Sequence, residues 1–114
     1  MARLCGLSAA EVDVAHELAE KYAAEWNCVL VLKGAPTVIG CPDGTVYVNT
    51  TGTPAMATGG CGDVLTGIIA GLCAQGVEAE SAAACGVYLH GLAGELAADG
   101  CIGLAAGELA AFVP

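Results

Sequence analysis

Positive charge is what this chain has least of. Three Lys and Arg residues stand against twelve Asp and Glu, for a formal net charge of −9. So few cations cannot neutralise a phosphate backbone or an anionic bilayer, and nucleic acid and membrane surfaces are excluded as partners. Long hydrophobic runs are missing as well. The nearest candidate, residues 64–73, is too short for a membrane span and is followed by polar residues. The opening "MARLCGLSAAEVD" has one arginine and no continuous apolar core leading to a cleavage site, so no signal peptide is expected. Seven cysteines are present, an odd number, and no two have the C-x-x-C spacing of a metal or redox site. Most lie in apolar runs, where a free thiol behaves as a small hydrophobe. Reduced thiols and a cytoplasmic location are therefore expected.

Apolar residues and glycine fill the rest. Hydrophobic residues make up 56% of the 114 positions, charged residues 13%, and there are 17 glycines. One small domain is the most this length accommodates. A domain of this size hides roughly 60–70% of its surface, so this apolar content exceeds what it can easily bury. Either the chain is a piece of a larger body or it oligomerises through an apolar face.

Ser8 and Glu11 have capping-box spacing, and apolar residues recur at helical intervals through "VDVAHELAEKYAAEW", which predicts a helix over residues 9–26. "CVLVLKG" reads as a strand buried on both faces of a parallel sheet, short and bounded by turn signals. "TVIGCPDGTVYVNT" reads as a β-hairpin turning at Pro-Asp-Gly. A glycine-rich loop follows, then a helix over residues 62–75 stopped by Gly76. A third helix is expected over residues 78–99 and a last one over residues 103–113. This order belongs to a layered α/β fold, and the buried strand calls for sheet neighbours that the chain does not visibly provide.

Chemistry concentrates at Thr58-Gly59-Gly60-Cys61-Gly62-Asp63. Glycines let backbone approach a ligand closely, and the free N–H groups and dipole of a helix start favour an anion, above all phosphate. A carboxylate beside bound phosphate repels it unless it has a task. The fitting task for Asp63 is to take a proton from a hydroxyl as that oxygen attacks a terminal phosphoryl group. The plainer alternative is that Gly62 and Asp63 only turn the chain and cap the helix. The loop is neither a dinucleotide fingerprint, which directly follows a first strand, nor a Walker-type loop. Lys33, at the end of its strand, is placed to meet ligand phosphate, or is simply a solvated strand end. His90 in an apolar helix reads as a satisfied core residue, and His16 as exposed. Cys61, beside a helix start, reads as a thiol open to modification.

"KGAPTVI", "DGTVYVNTTGTPAMATGGCGDVLTGIIAGLCAQG" and "GVYLHGLAGELAA" together resemble the ADP/ATP-dependent NAD(P)H-hydrate dehydratases of the ribokinase-like superfamily. The likeness extends over the whole chain, and the run from Asn49 to Asp63 is its most specific part. It implies a nucleotide-dependent lyase of metabolite repair that removes water from hydrated NADH or NADPH, using ADP (or ATP) with Mg2+. It implies that Lys33, Gly34, Ala35, Pro36 and Thr37 lie against the nucleotide. Gly60, Cys61 and Gly62 would form a backbone anion hole, Gly62 would also border AMP, and Asp63 would be the catalytic base bordering the hydrate.

The chain departs from the family at Cys61 (usually Ser or Thr), Thr53 (usually Asn) and Ala55 (usually Gly). A lost hydroxyl contact at Cys61 costs ~1 kcal/mol. Residues matching "MARL" lie mid-domain in the family, so residues 1–114 are expected to be the C-terminal part of a ribokinase-like domain. An epimerase domain in the parent protein and a homo-oligomer are the partners such a family implies. Two other readings stand beside this one: a ribokinase-like kinase for a small molecule such as a vitamin precursor, which shares Gly-x-Gly-Asp, and a non-catalytic truncated fragment.

Overall fold

The computed structural model describes residues 1–8, 14–99 and 105–114. They form two compact units, Met1–Asn49 and Thr50–Pro114.

The first unit begins with one helical turn, α1 (Ala2–Cys5), closed by Gly6 in the left-handed conformation at φ 66°. Periodicity gave no sign of so short a helix. The next helix, α2 (Ala15–Glu25), starts later than residue 9. Val14 is non-helical, while Glu11 of the expected capping box lies outside the described residues. Leu18, Ala19, Tyr22 and Ala23 are its buried stripe, and the i, i+1, i+4, i+5 spacing puts them on one face. The helix ends in a Schellman motif. Asn27 takes φ 48°, and the amides of Asn27 and Cys28 reach back to the carbonyls of Ala24 and Ala23 at 3.2 and 3.0 Å.

Three strands follow: β1 (Leu30–Leu32), β2 (Val38–Gly40) and β3 (Val46–Val48). They lie in the order β1-β2-β3. Both pairings are antiparallel, with Val31 opposite Ile39 and Ile39 opposite Tyr47. This corrects the expectation of a parallel strand buried on both faces. β1 is half-buried at one side of the sheet, and β2 is the buried centre. The reason is the link. Only five residues separate β1 from β2, whereas a parallel return needs a crossover of a dozen or more. The hairpin is as expected. Gly44 at φ 91° turns the chain, and the Thr45 amide donates to Asp43 Oδ1 at 2.9 Å. That backbone hydrogen bond holds the Asp43 carboxyl below its ordinary range. β2 lies directly on α2, because a Cβ at Gly40 would collide with the Ala19 carbonyl.

The second unit opens with a 3-10 turn, Pro54–Met56, capped by Thr53 Oγ1. Three helices follow: α3 (Cys61–Ala74), α4 (Ala79–Ala97) and α5 (Ala106–Ala111). Gly76 at φ 90° stops α3, and the Val77 amide bonds to the Leu72 carbonyl at 3.1 Å. α4 ends two residues before the expected boundary. Of the last expected helix, residues 103 and 104 lie outside the described residues. α3 packs on α4 where Gly86 leaves room for Ile69. Cys61, Ala93 and Leu109 form the core at the head of α3, with Met56, Val64, Ala106 and Val113 around them. Among the described residues no helix is long and apolar enough to cross a membrane, and the six described cysteines form no disulfide. Cys101 lies outside them.

Candidate active site

The glycine loop becomes a helix start at Gly60, which takes φ 93° as the residue before α3. Its sequence explains this geometry. Only glycine adopts that conformation freely, and a Cβ there would stand 3.0 Å from the Ala106 side chain. No side chain caps α3. The first turn closes through the Gly60 carbonyl, which accepts from Asp63 at 2.9 Å and from Val64 at 3.2 Å. Within the helix, the N–H groups of Gly60, Cys61 and Gly62 therefore have no partner to reach. Gly60, Cys61, Gly62 and Asp63 thus come together in one turn, with backbone donors and a dipole suited to an anion. Asp63 is exposed, and it is the only carboxylate between Thr50 and Val77.

Cys61 points the other way. Its side chain is 4% exposed and its Sγ lies 3.2 Å from Thr58 Oγ1. The expectation of a modifiable thiol is corrected by that burial. Cys61 belongs to the core, and it keeps a polar contact in which either atom can donate.

The loop is tied to α4 by three polar contacts that sequence spacing did not disclose. Thr51 Oγ1 donates to the Tyr88 carbonyl at 3.0 Å. The Gly52 amide donates to Glu95 Oε1 at 2.7 Å. His90 Nε2 meets the Cys61 carbonyl at 2.8 Å. Since a carbonyl only accepts, the ring nitrogen carries the hydrogen. His90 is buried at 8% exposure, as a satisfied core histidine would be. The glycines of "HGLAGE" explain the closeness. A Cβ at Gly91 would collide with Thr51, and one at Gly94 with Met56. His90, Gly91, Gly94 and Glu95 recur as i, i+1, i+4, i+5. That stripe was the available signal for a helix face built to receive a strap.

The other expected nucleotide segment lies in the first unit. Lys33, Gly34, Ala35 and Pro36 are exposed, and Thr37 is half-buried, in the link from β1 to β2. Thr37 Oγ1 donates to the Gly34 carbonyl at 3.1 Å and accepts the Gly34 amide at 3.4 Å. The Ala35–Pro36 peptide is cis. The segment is a small loop with an internal Gly34–Thr37 closure and its one cation at the entrance, and the Thr37 carbonyl at its end accepts the Asn49 amide at 2.9 Å.

Comparison with known proteins identifies the family. The family described as NAD(P)H-hydrate dehydratase matches residues 1–112. The bifunctional NAD(P)H-hydrate repair enzyme Nnr of Moorella thermoacetica is 57% identical over the whole chain, which spans 22% of that enzyme. The ADP-dependent (S)-NAD(P)H-hydrate dehydratase of Neisseria meningitidis serogroup B is 44% identical over 96% of the chain, which spans 37% of it. A solved structure of the ADP/ATP-dependent NAD(P)H-hydrate dehydratase of Bacillus subtilis, co-crystallised with ATP/Mg2+, superposes with a TM-score of 0.93 at 40% identity. It is matched over 99% of this chain and 42% of its own. The chain thus spans between about a fifth and two fifths of these relatives, and its α/β fold is ribokinase-like. The chain belongs to the NAD(P)H-hydrate dehydratase family.

Proposed function

We propose that this chain carries the phosphate cradle and the catalytic carboxylate of a nucleotide-dependent NAD(P)H-hydrate dehydratase. In this reading residues 1–114 are the C-terminal part of a ribokinase-like domain. The small share of the relatives' length that the chain spans supports it. The observation that carries the function is the first turn of α3, where Gly60, Cys61 and Gly62 present backbone amides beside the exposed Asp63.

Asp63 takes the proton of the hydroxyl on the hydrated nicotinamide ring, and that oxygen attacks the terminal phosphoryl group of ADP (or ATP). With ADP the leaving group is AMP. The ring nitrogen then expels phosphate, a far better leaving group than hydroxide, and loss of a neighbouring ring proton restores the double bond. Amides at Gly60, Cys61 and Gly62 stabilise the charge on the transferred group. Lys33 through Thr37 lie against the nucleotide, with Lys33 offsetting phosphate charge. Asp63 is the sole carboxylate of the glycine segment. That donor set fits Mg2+ carried on the nucleotide phosphates, where it neutralises their charge, rather than in a protein cage. The bifunctional relatives support a fused epimerase in the longer proteins, and the abundance of apolar residues supports a homo-oligomer. The odd cysteine count without C-x-x-C spacing supports reduced thiols and a cytoplasmic setting.

Asp63→Asn tests the assignment. Recovery of NADH from its hydrate in the presence of ADP and Mg2+ falls by roughly 10²–10⁴-fold. Nucleotide binding persists or tightens, because a negative charge beside phosphate is gone. Full dehydration activity of Asp63→Asn in a complete enzyme contradicts the mechanism.

A further inference from the structure

The hydrogen bond between His90 and the Cys61 carbonyl has a consequence for the cradle itself. A carbonyl at the first position of a regular helix already accepts from the amide four residues on. Here it also receives a donor from a buried imidazole on another helix, 29 residues away, at 2.8 Å. The Cys61 carbonyl shares one planar trans peptide with the Gly62 N–H, and in such a unit the two groups point in opposite directions. Drawing the carbonyl toward His90, in the interior, aims the Gly62 N–H outward. A donor on the carbonyl also polarises the peptide and strengthens its N–H as a donor.

We propose that His90 is a positioning residue for the anion cradle, acting through the Cys61–Gly62 peptide to direct and strengthen the Gly62 amide. The proposal rests on the reading of this loop as a phosphate cradle. The strap contacts on either side support it. Tyr88 and Glu95 of the same helix hold Thr51 and Gly52, so α4 grips both the approach to the loop and its end. Of these three contacts, the one from His90 reaches a peptide whose N–H belongs to the cradle.

Two variants separate positioning from mere filling of space. His90→Gln keeps a side-chain amide able to donate at similar reach, and His90→Leu keeps bulk without a donor. Three quantities are read in each: the Gly62 amide proton shift without ligand, the affinity for ADP with Mg2+, and the melting midpoint. In His90→Leu the Gly62 proton moves upfield and ADP binding weakens by about tenfold, the equivalent of one lost buried hydrogen bond. His90→Gln returns both toward the native values. A Gly62 resonance and an ADP affinity unchanged in both variants overturn the proposal, as does equal thermal destabilisation with no movement of Gly62. Should His90→Leu fail to fold, His90→Ala serves as the variant without a donor, and it is read against His90→Gln by the same criteria. If the native chain binds no ADP while Gly62 still responds as described, the nucleotide reading fails and the positioning stands.

Discussion

The two loops that the dehydratase reading assigns to the nucleotide are built on opposite principles. The side-chain bonds of the link around Gly34 and Thr37 join residues three apart, and only its end is tied further along the chain, where the Asn49 amide donates to the Thr37 carbonyl at 2.9 Å. The segment from Thr51 to Cys61 is held by partners 37, 43 and 29 residues away on α4. A loop closed on itself keeps its shape with little help, and its exposed bonds contribute little to stability. A loop strapped to a helix has its geometry set by tertiary packing, so it carries amides to a defined place and fails when the packing fails. Catalysis by backbone donors needs the second kind of loop, since donors displaced by a fraction of an ångström lose most of their effect.

The comparison predicts a wide gap in sensitivity. Gly91→Ala gives the largest structural effect, because its Cβ would collide with Thr51 and dislodge the strap. Overpacking costs about 1–3 kcal/mol, against about 1 kcal/mol gained in helix propensity. Net destabilisation of up to about 2 kcal/mol is expected in denaturant titration, while the same change at Gly67, where a Cβ meets nothing within 4 Å, stabilises. Equal effects at both glycines would remove the strap from the account. Thr37→Val gives the smallest effect. It removes two exposed local bonds, and a loss of about 0.5–1 kcal/mol, with the sheet intact by circular dichroism, is expected. A collapse of the fold would show that this link is not self-contained.

Much of this was legible in the residues because the signals were local. The Pro42-Asp43-Gly44 turn, the Gly76 stop and the glycine-to-helix transition at Gly60 each depend on a few neighbours. β1 was misread because an apolar run looks the same at the side of a sheet as at its centre. Only its partner, and the shortness of the link to it, distinguish the two. Cys61 was misplaced because its helix position could be read while the direction of its side chain could not. His90 was recognised as a core residue, but its partner 29 residues earlier has no signature in spacing, and neither has the bond from Gly52 to Glu95.

The central claim is that the first turn of α3 receives nucleotide phosphate. An amide-resolved NMR titration of the chain with ADP and Mg2+ tests it directly. The account predicts saturable shifts that are largest at Gly60, Cys61, Gly62 and Asp63, with smaller ones at Lys33 and Gly34. Saturation with those four amides unmoved, or no response from a cooperatively folded chain, would contradict it.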